Sequence, residues 1–192
     1  MMGNRPAVRV AATVMVAVLL PGCSGASPED SAEPAVPVAT TAAAGETRPP
    51  ATAEELAEAE LAQLVRDYEA AENAVYLDPA SDPSAALDPF LRNPAAAARV
   101  ADILTFRNAG HTLESSTAEV HSVEVRSVEL DGQVPSATLD ECHTLSASGL
   151  DGSSGEPVSF SNRRLTTWTA SQIDEHGGWR LTTYETGEAG SC

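Results

Sequence analysis

The histidines of this chain, which could carry out acid–base chemistry, are few and widely spaced. Among 192 residues there are four histidines and 28 Asp or Glu residues. General acid–base catalysis requires such groups within hydrogen-bonding reach of a bound substrate. The candidate catalytic residues are His143, Asp140 three positions before it, and Glu72 at the border of an apolar helix stripe. Pairing of His143 with Asp140 depends on the fold, so a purely structural role for all three residues stays open.

Other kinds of catalytic site have little support in the sequence. No two histidines stand four positions apart or at another compact ligand spacing, so we expect no metal site and no cofactor. The chain lacks a Gly-x-Ser-x-Gly nucleophile elbow, and its Gly152–Gly155 stretch lacks the Lys of a phosphate-binding loop. We therefore expect a domain that is not an enzyme, with an acid–base enzyme as the alternative.

A second group of residues could bind a ligand. The aromatic residues Phe160, Trp168 and Tyr184 are candidates for lining an apolar cavity, with packing in the core as the alternative. Arg163-Arg164 could receive a carboxylate. One of these two side chains should point outward on any strand, so surface pairing is the simpler interpretation.

The N-terminal residues have the layout of an export signal. Arg5 and Arg9 precede an apolar run over residues 10–20, which is too short to span a bilayer. The sequence Leu20-Pro21-Gly22-Cys23 then resembles the bacterial lipobox, although Pro21 is unusual at its position. The resemblance implies that residues 1–22 are removed and that Cys23 is acylated. We expect a lipid anchor on the extracytoplasmic face of the cell membrane.

The remaining two of the three cysteines form an even pair. In an oxidising compartment, Cys142 and Cys192 are predicted to form a disulfide, with two free buried thiols as the alternative. The bridge would close a loop of about 50 residues and stabilise the domain by roughly 4 kcal/mol.

The chain is strongly acidic, and this limits its partners. Its formal net charge is −17, and loss of residues 1–22 would remove two Arg and no acidic residue. Such a surface repels nucleic acid and anionic lipid headgroups, which leaves the acyl group as the membrane link. We expect the partner to be an envelope protein or a small apolar ligand, and a homodimer is also possible.

The sequence divides into a tether and one domain. Residues 23–51 are rich in Pro, Ala, Ser and Thr and are predicted to be disordered, whereas residues 52–192 form the folded domain. A capping box at Thr52 and Glu55 begins a helix over about 53–76. A short helical turn is predicted near 85–91. A second helix, with Asn93 as N-cap and Pro94 first, ends near residue 108.

The C-terminal half has the alternation of strands. Val123 and Val125 alternate on one parity and Val128 and Leu130 on the other, which predicts a bulge near 126–127. Further strands lead to Cys142, run from about 158 to 168, and follow a Gly-Gly turn. Helices followed by an antiparallel meander predict an α+β domain.

This order of elements resembles the nuclear-transport-factor-two-like fold, in which a strongly bent sheet of about four strands wraps the helices into a cone with a cavity. The spacing Ala137-x-Leu139-x-x-Cys142, the Gly177–Arg180 turn and Cys192 resemble actinobacterial envelope lipoproteins of this fold. The resemblance implies a ligand- or protein-binding module. It also implies two alternatives: an enzyme of the ketosteroid-isomerase or polyketide-cyclase type, and a structural module that dimerises through its sheet.

Overall fold

The computed structural model describes residues 50–173 and 178–192. The predicted signal peptide 1–22, the predicted acylation site Cys23 and nearly all of the predicted tether therefore lie outside the described residues. Every described residue belongs to one compact unit. In this part of the chain, no helix has the length and apolar character needed to cross a membrane.

The first helix, α1, spans Ala53–Leu77 and begins at the predicted capping box. The Glu55 N–H donates to the Thr52 hydroxyl at 3.2 Å, and the Thr52 N–H donates to the Glu55 carboxylate at 2.9 Å. Two of the unpaired donors at the helix start are thereby satisfied. The predicted start of α1 is confirmed, and its end lies one residue beyond the predicted one.

Two shorter helices follow, α2 at Pro83–Leu87 and α3 at Ala95–Asn108. The prediction of Asn93 as the N-cap of α3 is wrong. Pro94 occupies that position and no side chain caps the helix. The chain just before it is instead held by a backbone hydrogen bond, in which the Arg92 N–H donates to the Leu181 carbonyl at 2.9 Å. Gly110, with φ of 78°, follows α3 in the left-handed conformation that the sequence predicts.

Four antiparallel strands form the sheet, in the order β1-β2-β3-β4. They span Thr112–Glu129 (β1), Ser136–Leu150 (β2), Pro157–Gln172 (β3) and Trp179–Thr186 (β4). The register of β1 shifts at three places, one of them between Val125 and Ser127, as the change of parity predicts. Bulges of this kind bend a strand and increase its twist. Three helices followed by a four-stranded antiparallel sheet confirm the predicted α+β class.

The core lies between α1 and the helix-facing side of the sheet. Leu61, Val65 and Tyr68 of α1 are fully buried and belong to the same apolar cluster as Leu139 of β2 and Trp168 of β3. The Tyr68 and Trp168 rings meet edge to face, with centroids 5.1 Å apart. Burying one such side chain contributes about 1.5–3 kcal/mol. This packing holds α1 against the sheet.

Arg107 of α3 closes the C-terminal end of α1. Its guanidinium donates to the carbonyl oxygens of Val75 at 2.7 Å, Ser81 at 2.8 Å and Asp78 at 2.9 Å. The last carbonyls of a helix lack partners within the helix and carry partial negative charge, so a cation there is favourable. One side chain thus ties α3 to α1 and to the connection after it.

The C-terminal tail is fastened along β3. Cys142 and Cys192 form the predicted disulfide, at a sequence separation of 50. The Gly187 N–H donates to the Leu165 carbonyl at 2.8 Å, and the Leu165 N–H donates to the Ser191 hydroxyl at 2.8 Å. The disulfide and these hydrogen bonds hold the C-terminal tail against the sheet near Cys142.

Candidate functional site

A cavity of about 260 Å³ lies between the helices and the concave side of the sheet. Its lining is mainly apolar, with a smaller set of charged groups. The apolar part of the lining includes Phe106, Leu113, Leu145, Ala147 and Phe160. The charged and ionisable part comprises Glu69, Glu72, Arg99, His143 and Arg164. A mainly apolar pocket with a few convergent polar groups is the usual form of a small-molecule site.

Glu72 and Arg99 form an ion pair at the wall of this cavity. Arg99 Nε lies 3.7 Å from Glu72 Oε1, and the two side chains are only 19% and 12% exposed. The Arg99 guanidinium also lies over the Tyr184 ring. Burial raises the pKa of the Glu72 carboxyl, and the charge of Arg99 partly offsets that rise. The cavity therefore contains a carboxyl group that holds its proton more tightly than a carboxyl group in water.

A second buried group of ionisable side chains adjoins this pair. Glu141 is fully buried, and the Trp168 indole N–H donates to its Oε2 at 2.8 Å. His143 Nδ1 lies 3.4 Å from Glu141 Oε1, and Glu69 of α1 faces both residues. Burial raises the pKa of the Glu69 carboxyl, and the neighbouring Glu141 carboxylate raises it further. Two carboxyl groups and a histidine thus meet where side chains of α1 and β2 face each other.

The structure separates the three predicted catalytic residues. Glu72 and His143 line the cavity, but Asp140 is on the opposite face of β2. Its carboxylate pairs with Arg126 and accepts the Thr167 hydroxyl at 2.8 Å. Successive side chains of a strand point to opposite faces, and Asp140 and His143 differ in parity. The pairing of His143 with Asp140 that the sequence leaves open is therefore not formed.

The three predicted ligand-lining aromatic residues have three different positions. Phe160 lines the cavity and is 43% exposed. Trp168 is fully buried in the core. Tyr184 packs between Trp168, with ring centroids 5.3 Å apart, and the Arg99 guanidinium. Phe160 thus remains a lining residue of the cavity, whereas the Trp168 and Tyr184 rings pack against the Arg99 guanidinium.

The adjacent arginines of β3 also point to different faces. Arg164 lines the cavity, and its buried Nε has no hydrogen-bond partner within the described ranges. Arg163 is exposed and donates from Nε to Cys142 Sγ at 3.3 Å. The outward position of one arginine is confirmed. The sequence-based preference for surface pairing is wrong for Arg164, which offers a donor to the cavity.

Two other histidines lie away from the cavity. His111 Nδ1 accepts the Gly152 N–H at 3.0 Å and lies 3.6 Å from Asp151. His121 contacts the Thr144 hydroxyl at 2.8 Å on the exposed side of the sheet. His176 lies outside the described residues.

The sequence-based prediction missed Glu69, Glu141 and Arg99. Helical periodicity predicts Glu69 on the polar surface of α1, but Glu69 is 6% exposed and faces the sheet. Glu141 continues the alternation of Ala137 and Leu139, so it stands on the buried parity of β2. That parity was the available signal. Nothing in the spacing of Arg99 shows that it would meet Glu72.

Comparisons with known proteins bear on the fold alone. No protein-family model and no curated protein matches this chain. Among solved structures it is similar to the crystal structure of the intermembrane space region of the chloroplast protein ARC6. The TM-score is 0.51 at 13% sequence identity, and the match covers 71% of this chain and 98% of that one. The fold and cavity define an α+β domain with a mainly apolar pocket. A fold of this kind does not by itself determine a function.

Proposed function

We propose that this protein is a lipid-anchored component of the cell envelope whose α+β domain binds a small, mainly apolar ligand in its cavity. The observation that carries the ligand proposal is the lining. Apolar side chains surround a few buried ionisable groups, and the Arg164 Nε there has no partner among the residues described. A buried donor without a partner is unfavourable by about 1–3 kcal/mol, which a ligand acceptor would recover.

The chemistry of the lining suggests a small molecule with one anionic or acceptor end. Arg99 is already paired with Glu72, whereas Arg164 has no ion-pair partner in the described part of the chain. An arginine guanidinium matches a carboxylate in both charge and geometry. We therefore propose a ligand that carries a carboxylate or carbonyl toward Arg164 and an apolar body toward Phe160 and Leu145.

Mass spectrometry of co-purifying small molecules tests this proposal. The full chain is isolated natively from its own cells, and its bound molecules are compared among wild type, Arg164→Met and Arg163→Met. We expect a reproducible small molecule in wild type and in Arg163→Met, and its loss in Arg164→Met. The same set of molecules from all three proteins, or none from any, would contradict the proposal.

The proposed anchor rests on the sequence before and at Cys23. The apolar run and the lipobox-like Leu20–Cys23 support export and acylation. One acyl chain alone gives marginal membrane binding, so attachment of this kind needs more than one chain. Replacement Cys23→Ser should move the protein from the membrane fraction into the soluble fraction and abolish labelling by a radioactive fatty acid. Membrane attachment that survives this replacement would contradict the anchor.

We also propose that the domain belongs to the nuclear-transport-factor-two-like group. Three helices packed on a four-stranded antiparallel meander, with a cavity between the layers, support this assignment. It favours a second candidate function, an acid–base enzyme, because a buried carboxyl with a raised pKa faces an apolar cavity at Glu72. If Glu72 removes a proton from carbon, the isolated ligand should exchange hydrogen for deuterium in heavy water with wild type but not with Glu72→Gln.

A further inference from the structure

Glu69, Glu141 and His143 form a compact cluster that joins a helix to the sheet. Glu69 lies on α1, and Glu141 and His143 stand two positions apart on the same face of β2. One possible ligand atom from each residue lies within 4.8 Å of the other two. The residues are 6%, 0% and 7% exposed, respectively. We propose that these three side chains bind one divalent transition-metal ion.

The free atoms of the cluster support a ligand at its centre. Glu141 Oε2 accepts the Trp168 indole N–H, whereas Glu141 Oε1 is buried and has no hydrogen-bond partner in the described ranges. His143 Nδ1, which lies 3.4 Å from that oxygen, is also buried and makes no hydrogen bond there. Metal-binding carboxylates are commonly oriented by a hydrogen bond to their other oxygen. Trp168 supplies a bond of that kind and leaves the inner oxygen of Glu141 free.

The charges of the cluster also favour a cation. Two carboxylates taken out of water destabilise the fold unless they are protonated or paired. The nearest arginine, Arg99, makes its ion pair with Glu72. In the part of the chain that the structure describes, neither Glu69 nor Glu141 pairs with an arginine, and the ion-pair contact of Glu141 is with His143 Nδ1 at 3.4 Å, which balances charge only if His143 is protonated. A dication would balance the two carboxylates, whereas a proton shared between them is the competing arrangement.

The donor set indicates which metals would fit. Two carboxylate oxygens and one imidazole nitrogen suit Zn²⁺, Mn²⁺ or Fe²⁺ better than Ca²⁺ or Mg²⁺, which prefer oxygen ligands alone. Three protein ligands resemble catalytic rather than structural zinc sites, which use four. Glu69 and His143 also line the cavity, so an ion can reach the cluster from that side. The proposed metal site does not depend on the ligand proposed above.

Metal titration of the full chain tests the site. The purified protein is stripped with a chelator and titrated with Zn²⁺ by calorimetry, and Co²⁺ is added separately to record its absorption spectrum. We expect one equivalent of Zn²⁺ per chain and a Co²⁺ spectrum with a histidine nitrogen ligand. His143→Ala and Glu141→Gln should each weaken Zn²⁺ binding by at least about tenfold. His121→Ala, which removes an exposed histidine, should leave it unchanged.

Wild-type protein alone can overturn the proposal, so it does not depend on whether a variant folds. Absence of stoichiometric Zn²⁺ binding in folded wild type would overturn the metal site and leave protons on the carboxyl groups or on His143 to balance the charge. Equal Zn²⁺ affinity in wild type, folded His143→Ala and folded Glu141→Gln would place the metal elsewhere. Stoichiometric Zn²⁺ binding by wild type from which no small molecule co-purifies would keep this site while ligand binding fails, which separates the two proposals.

Discussion

The guanidinium carbon of Arg99 lies 4.0 Å from the centroid of the Tyr184 ring. It also lies 5.7 Å from the Trp168 ring centroid, so α3 is held to both β3 and β4 through one cation. Cation–π contacts of desolvated groups contribute about 2 kcal/mol. The Tyr184 and Trp168 rings hold the guanidinium where its Nε can pair with Glu72. The Arg99–Glu72 ion pair therefore lies at the cavity wall.

Loss of the Arg99 charge should destabilise the domain. Replacement Arg99→Met leaves Glu72 buried without its partner, and breaking one side of such a pair lowers stability by about 3 kcal/mol. The double variant Arg99→Met/Glu72→Gln should recover most of that loss, because no unpaired charge remains. Urea unfolding at pH 7 measures both, with exposed Arg66→Met as the control. Equal stabilities for Arg99→Met and the double variant would contradict the loss assigned to an unpaired Glu72 charge.

The free energy of unfolding should depend on pH through the protonation of Glu72. Burial raises the pKa of this carboxyl in the folded protein above its unfolded value of 4.5, despite the opposing effects of Arg99 and Tyr68. The folded state therefore binds the proton more tightly, and the resulting stabilisation is complete below pH 4.5. It is lost as the pH rises through the folded pKa.

Glu72→Gln removes this titration, so its stability relative to wild type should increase as the pH rises from 4.5. The other ionisable groups close to Glu72 are Glu69, Glu141 and His143, and both proteins retain them. Chemical denaturation in chelator-treated buffers from pH 4.5 to 8 measures the difference. A constant difference over that range would show that Glu72 has the same pKa in both states.

Arg107 should contribute strongly to stability although it is not in the apolar core. Its guanidinium satisfies carbonyls of Val75, Asp78 and Ser81, and hydrogen bonds from a charged donor contribute about 1.5–3 kcal/mol. We expect Arg107→Met to lower the unfolding free energy by about 2 kcal/mol. Arg66→Met on the exposed side of α1 should change it by less than about 0.5 kcal/mol. Similar losses in the two variants would contradict this role.

The sequence was sufficient for the elements whose signals are local. The capping box at Thr52 and Glu55, the change of parity near Val125 and the left-handed Gly110 each depend on neighbouring residues only. The site was harder, because it is built from distant contacts. Glu69, Arg99 and Glu141 acquire their roles only once α1 and α3 pack on the sheet, and hydrophobic periodicity assigns charged residues to the surface by default.

The Cys142–Cys192 bridge should contribute to the stability of the whole domain. It closes a loop with a sequence separation of 50, which the chain-entropy model converts to roughly 4 kcal/mol. The double variant Cys142→Ala/Cys192→Ala should lose about that much in urea unfolding. Reduction of wild type should produce a comparable loss and should leave the stability of the double variant unchanged. Two titratable thiols in unreduced folded protein would contradict the bridge.

Gly149 should be intolerant of any side chain, because the backbone of β1 lies very close to Gly149 where β1 pairs with β2. A methyl group at Gly149 would lie 1.9 Å from the Thr112 carbonyl oxygen and 2.9 Å from the Leu113 Cα. Both contacts are with backbone, so relief requires the two strands to separate. Forced overpacking of this kind destabilises by about 1–3 kcal/mol.

Gly132→Ala is the matched control, because its nearest contact is the Val134 carbonyl oxygen at 3.4 Å. We expect Gly149→Ala to lower the unfolding free energy by about 2 kcal/mol and Gly132→Ala to change it by less than about 0.5 kcal/mol. Exchange of the backbone amide hydrogens of Leu113 and its neighbours should also accelerate in Gly149→Ala. These residues pair with β2 at the place where the two strands would have to separate. Equal stabilities of the two variants would mean that β1 can move away from Gly149 without loss of pairing.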